Sequence, residues 1–127
     1  MFIDGVRGTA ENRLDFATTP ACSGDVIRAL TAPKGALFTN VRTRVVTKQD
    51  AACTADVGDG DDPNGYNDAV DFNATNGTIE MTREADPYAE GKLYTVDDEV
   101  DVTLDHDADV AVIDIWGDYV MLERYAP

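Results

Sequence analysis

Most of the side chains that carry chemistry on their own are scarce in this chain. It has one histidine, His106, and one serine, Ser23. Ser23 has no histidine near it in sequence, so a serine nucleophile with its base is not supported. His106 sits in the acidic run Asp105-His106-Asp107 and lacks the companions that a zinc or general-base role would need. The two cysteines, Cys22 and Cys53, make no Cys-x-x-Cys pair, which excludes the usual zinc and redox spacings. Two cysteines are also too few for a disulfide framework. They are expected as thiols, with a single bridge between neighbouring strands as the alternative.

Other absences narrow the function further. No apolar run approaches about 18 residues, so no membrane-spanning helix is expected. No phosphate loop or dinucleotide fingerprint appears. The opening Met1-Phe2-Ile3-Asp4 lacks the basic-then-apolar layout of a secretory signal, and the expectation is synthesis and folding in a host cytoplasm. Basic residues are few: 10 Lys and Arg stand against 25 Asp and Glu, for a net charge of -15. Phosphate backbones and anionic lipid surfaces both select for basic patches, so neither nucleic acid nor membrane is an expected partner.

Acid is what the chain has in excess. Cations and positive protein surfaces are the partners that such a charge admits; otherwise it serves only solubility. The preference for Asp and the low count of lysine (Lys34, Lys48 and Lys92) suit a saline environment.

The 127 residues suit one domain, and 43% apolar content is enough for one core. Short alternating runs dominate, and no helical stripe of useful length appears. Strands are expected at 13–18, 24–31, 36–48, 53–57, 69–72, 78–82, 92–95 and 99–104. In the 36–48 segment Leu37, Val41 and Val45 are assigned to the inward face, with Asn40, Arg42, Arg44 and Lys48 opposite. Gln49-Asp50-Ala51 is read as a hairpin turn. Residues 110–122 form either one long strand bulged at Gly117-Asp118 or a hairpin that turns there. These runs predict an all-β chain: a single β-sandwich or jelly-roll-like domain over 12–127, preceded by an extended N-terminal arm, 1–11, that ties onto a neighbour.

The most unusual stretch is 56–72. Asp59, Asp61, Asn64 and Asp68 supply hard oxygen ligands of the kind calcium takes. The EF-hand pattern nevertheless breaks, with Pro63 and Val70 where acidic ligands belong. The competing reading is a self-bonded turn, in which Gly58, Gly60 and Gly65 supply unusual backbone angles and Asp and Asn bond their own backbone.

With 25 acids, carboxylate pairs carry no information about glycosidase chemistry. Asp114, between Ile113 and Ile115, is assigned to solvent or a subunit boundary. Trp116, Tyr119 and Tyr125 are read as core or interface aromatics, with sugar stacking as the alternative. Arg42, Arg44 and Trp116 are the candidate interface residues, the arginines being able to pair with acids of a neighbouring subunit.

The run Thr54-Ala-Asp-Val-Gly-Asp-Gly-Asp-Asp-Pro-Asn-Gly-Tyr-Asn-Asp-Ala-Val-Asp-Phe-Asn-Ala74 resembles a segment of small tailed-phage structural proteins. Gly24-Asp-Val-Ile27, Pro33-Lys-Gly35 and Gly91-Lys-Leu-Tyr-Thr-Val-Asp-Asp98 are similar to that group as well. The resemblance spans about residues 24–104 and implies a capsid decoration or cement protein. It further implies a non-enzymatic role on the virion surface, the major capsid protein as partner, and a homo-oligomer, as a trimer or else a dimer. It transfers no catalytic or ligand residue; the one cofactor in view is the Ca2+ that the acidic loop itself would take. The alternatives are a fibre- or tail-associated module binding carbohydrate or a host surface, with Trp116 or Tyr66 exposed, and a small glycan-cleaving enzyme.

Overall fold

A computed structural model describes residues 6–122. Nine strands form in chain order: β1 (Val6–Asp15), β2 (Val26–Ala32), β3 (Ala36–Thr47), β4 (Thr54–Gly58), β5 (Asn67–Asp71), β6 (Ile79–Met81), β7 (Lys92–Leu93), β8 (Asp98–Leu104) and β9 (Val112–Met121). They make two antiparallel sheets. One runs β1-β9-β3-β6, with β7 also paired to β3; the other runs β2-β8-β4-β5. The fold is an all-β sandwich, as the short alternating runs predicted.

Period-two patterning explains the core. In β8, Val100, Val102 and Leu104 are buried while Glu99, Asp101 and Thr103 lie between them on the opposite face. Ile113 and Ile115 of β9 meet them from the other sheet, with Phe38, Phe72 and Tyr94 filling the middle. Burying each such side chain contributes roughly 1.5–3 kcal/mol.

Several expected details change. Residues 6–11, expected as part of the extended N-terminal arm, form the first half of β1 and pair with β9 from Val6↔Met121 onward; residues 1–5 lie outside the described part. Gln49-Asp50-Ala51 is not a hairpin turn, because β3 and β4 belong to different sheets. In β3 the inward set is Ala36 and Phe38, then Val41, Thr43 and Val45. A register shift between Phe38 and Asn40 inserts one residue and flips the parity, so Leu37 leaves the inward set.

β9 is one continuous strand with unbroken pairing to β1, so Gly117-Asp118 is no turn. The bulge lies opposite, in β3. Gly117 is required for another reason: a Cβ there would come within 2.9 Å of the Phe38 ring.

Side chains stitch the two sheets together along both open sides. Asn12 of β1 donates to the Ala29 carbonyl of β2 at 3.0 Å. On the far side, Asn67 of β5 donates to the Met81 carbonyl at 3.2 Å, and the Asp71 N–H donates to Glu80 at 2.9 Å. Gln49 is a buried polar tie that the sequence did not single out. Its side-chain carbonyl accepts from the N–H groups of Asp109, Val110 and Ala111, and its amide donates to Asp50 and Asp109. It thereby pins the crossing after β3 to the turn before β9.

Candidate interaction surface and the acidic loop

The acidic loop joins β4 to β5, and its organising residue is Asp59. Asp59 is 2% exposed. Its Oδ1 accepts from the N–H groups of Asp61 (3.0 Å) and Asp62 (2.9 Å) and from the Tyr88 hydroxyl (2.9 Å). Its Oδ2 accepts from the Tyr94 hydroxyl at 2.9 Å. Tyr94 spends its only proton there, so Tyr66, 2.6 Å away, donates to Tyr94 in turn. Burial, above all, pushes the Tyr66, Tyr88 and Tyr94 hydroxyls above the ordinary tyrosine range, which keeps all three protonated as donors.

The remaining candidate ligands point elsewhere. Asp61 is exposed and pairs with Lys92 at 3.2 Å, while Lys92 lies 5.1 Å from the Tyr88 ring centroid. Asn64 is half-buried, with its own N–H donating to Asp62 Oδ1. Asp68 is exposed on β5, next to Asp56. The structure does not bring Asp59, Asp61, Asn64 and Asp68 together, and among the described residues no group of three or more His, Cys, Asp or Glu gathers as a metal site.

Two of the loop's glycines, Gly58 and Gly65, serve space rather than angle, while Gly60 faces open space. None of Gly58, Gly60 and Gly65 has a positive φ. A Cβ on Gly58 would meet the Asp62 carbonyl at 2.0 Å, and one on Gly65 would meet the Tyr88 ring at 2.3 Å. The left-handed residue is instead Ala69 (φ 54°), at a register shift in β5, where its N–H donates to Asp56 at 2.9 Å.

The two outward sheet faces differ sharply. On the β2-β8-β4-β5 face, cross-strand register places Asp56, Glu99 and Asp101 among Thr31, Thr103 and Arg28, with Asp68 and Asp71 on the adjoining edge strand. Arg28 reaches Glu99 at 3.4 Å. Desolvation and the charges of Glu99 and Asp98 raise the Asp101 carboxyl, and desolvation with Asp68 and Asp105 raises Asp56.

The β1-β9-β3-β6 face carries the candidate interface residues. Register sets Glu11, Trp116, Arg42 and Met81 side by side in one row, and Arg13, Asp114, Arg44 and Ile79 in the next. Arg13 grips Asp114 through two nitrogens, at 2.7 and 3.0 Å, which holds the Asp114 carboxyl below the usual carboxylate range. Asp114 therefore faces outward, as expected, with its charge matched by Arg13. Arg42 pairs with Asp118 at 3.0 Å. Arg44 is exposed beside Asp114. A hollow of about 440 Å³ is lined by Arg13, Arg44, Asp114 and Trp116 among others. Exposed Ile79, Met81 and Leu93 continue the face toward its edge.

The three interface candidates, Arg42, Arg44 and Trp116, thus fall on one surface. The remaining aromatics do not share it: Tyr119 turns inward and stacks on Phe38, and Tyr66 is fully buried, so Tyr66 is no surface aromatic. Tyr125 lies outside the described residues.

No protein-family model matches the chain, and no curated protein matches its sequence. Solved structures do match its fold. A chain of the acidic stable capsid structure of Helicobacter pylori bacteriophage KHP30 is 16% identical with a TM-score of 0.69, over 93% of this chain and 90% of that one. A chain of the capsid of Ralstonia phage GP4 is 18% identical with a TM-score of 0.67, over 94% and 86%. A chain of the cyanophage Pam1 capsid asymmetric unit is 15% identical with a TM-score of 0.71, over 95% and 89%. The whole sandwich of this chain is therefore similar in fold to chains found in three phage capsids.

Proposed function

We propose that this protein is a non-enzymatic structural component of a phage virion, a decoration or cement protein that binds the assembled shell formed by the major capsid protein and bridges its subunits. One observation carries the reading: a fold likeness covering at least 93% of the chain to chains of three phage capsids. The strand order, β1-β9-β3-β6 against β2-β8-β4-β5, with six of its eight connections crossing between sheets, supports reading the sandwich as jelly-roll-like. Side-chain hydrogen bonds tie the two sheets at both open sides of the sandwich, which stiffens it as a unit. The protein acts as a rigid block, as a homo-oligomer with a trimer favoured.

The test is co-sedimentation with assembled shells, with copies per capsid subunit counted and shell melting followed. The expected result is a fixed stoichiometry and a raised melting temperature. Protein that stays in the supernatant at saturating concentration, with shell melting unmoved, overturns the proposal. A fibre- or tail-associated carbohydrate-binding module is the second reading, favoured by the Trp116 hollow alone; saturable binding of a glycan, lost in Trp116→Ala, would support it instead.

A further inference from the structure

We infer that copies of this chain associate head to tail, the arginine-bearing β1-β9-β3-β6 face of one copy packing on the acidic β2-β8-β4-β5 face of the next. The inference goes beyond shell binding and does not depend on it.

Single side-chain bonds from Asn12, Asn67 and Glu80 tie the two sheets to each other at the sandwich sides. The two outward faces differ in charge, and that difference favours one way for faces to meet. On the acidic face, Glu99 and Asp101 stand two residues apart on β8, with Asp56 on the neighbouring strand and Arg28 opposite Asp101. Two such faces repel each other. The other face gathers Arg7, Arg13, Arg42 and Arg44, four of the 10 basic residues of a chain with net charge -15. Glu11, Asp114 and Asp118 lie among these arginines, so this face does not carry the negative excess of the other.

Spacing supports the pairing. Arg42 and Arg44 are two apart on β3, as Glu99 and Asp101 are on β8. Residues two apart on a strand repeat at about 7 Å, so the two charge ladders share one pitch. Trp116, half-buried beside Arg42, supplies the aromatic and arginine composition enriched in protein interfaces. Contact between two different faces is heterologous, and it closes into a ring when the rotation between copies allows.

The test is molar mass by light scattering on the purified chain at about 100 μM in low salt. The wild type is expected as an oligomer whose mass falls toward the monomer as salt screens the contact. Arg42→Glu with Arg44→Glu is expected to give a monomer, and so is Glu99→Lys with Asp101→Lys. All four changes in one chain restore the opposite charges and should recover the oligomer.

Arg42 is tied to Asp118, so Arg44→Glu alone, at an exposed position, serves as the milder variant and should lower the mass on its own. Circular dichroism confirms that each variant is folded. A wild-type monomer at low salt overturns the inference, while leaving co-sedimentation with shells to be decided separately. A mass lost on arginine reversal but unmoved by Glu99→Lys with Asp101→Lys also overturns it, because that pattern means like faces pair. A mass indifferent to every change, or to salt, means an apolar contact and overturns it as well.

Discussion

Asp59 and Asp61 are two residues apart in one acidic loop, and their removal should have very different consequences. Asp59→Ala deletes an acceptor that serves four donors, two of them backbone N–H groups and two of them tyrosine hydroxyls. Hydrogen bonds to a charged group contribute about 1.5–3 kcal/mol each, but the losses do not add in full. The Asp61 and Asp62 N–H groups can turn to water once the loop loosens, whereas the Tyr94 hydroxyl, in a side chain 2% exposed, cannot. Breaking a buried charged network typically costs about 3–5 kcal/mol, and that range is expected here.

Asp61→Ala removes only an exposed contact to Lys92, with the Asp61 side chain 74% accessible. Such pairs contribute about 0–1 kcal/mol. Asp59→Asn, which keeps the shape and one carbonyl, should fall between the two. Urea unfolding followed by tryptophan fluorescence separates these cases. With a slope of about 1.5 kcal/mol/M, Asp59→Ala lowers the midpoint by about 2–3 M and Asp61→Ala by less than about 0.7 M. Equal midpoints for the two variants would refute the view that Asp59 organises the loop from within.

Further outcomes follow from the same geometry. Chelator should leave the melting temperature unchanged, since the loop closes on its own hydrogen bonds; a drop on chelation, reversed by Ca2+, would restore the cation reading. Asp101 has a raised carboxyl, so its ionisation opposes folding: the penalty is complete above the folded pKa and fades as the pH falls toward the unfolded value. Asp101→Asn should therefore stabilise the protein at neutral pH, with its advantage over wild type narrowing as the pH is lowered, read from melting curves across a pH series. Asp114 has a lowered carboxyl, and its contribution, present above the unfolded pKa, is lost as the pH falls further. Cys53 is buried, with its thiol pushed up to about 11 by desolvation, while Cys22 is exposed. A thiol reagent at pH 8 should label one cysteine in the native protein and two after denaturation. Gly117→Ala should cost about 1–3 kcal/mol by driving a methyl group into the Phe38 ring, measurable as a lower urea midpoint.

Where local chemistry fixes conformation, the sequence was a sufficient guide. Strict alternation over Glu99–Leu104 set the inward face of β8, because a half-buried strand has a period of two. The spacing of Arg42 and Arg44 also placed both on one strand face. Parity in β3 was not legible, because a single bulged residue near Thr39 inverts every side chain before it, and the bulge is set by pairing with β9. Sheet membership was equally hidden: Gln49-Asp50-Ala51 has turn chemistry whether the chain folds back or crosses to the other sheet.

By itself, then, the amino-acid sequence determined the all-β class, the acidic balance and the residue types available to a site, since these rest on composition and nearest neighbours. Tertiary structure alone decided what the acids do. Asp59 turns inward because two tyrosines from distant positions, Tyr88 and Tyr94, converge on it, and Asp114 is matched because β1 lays Arg13 alongside it. Both depend on partners 29 or more residues away in sequence, whose arrival no local pattern encodes.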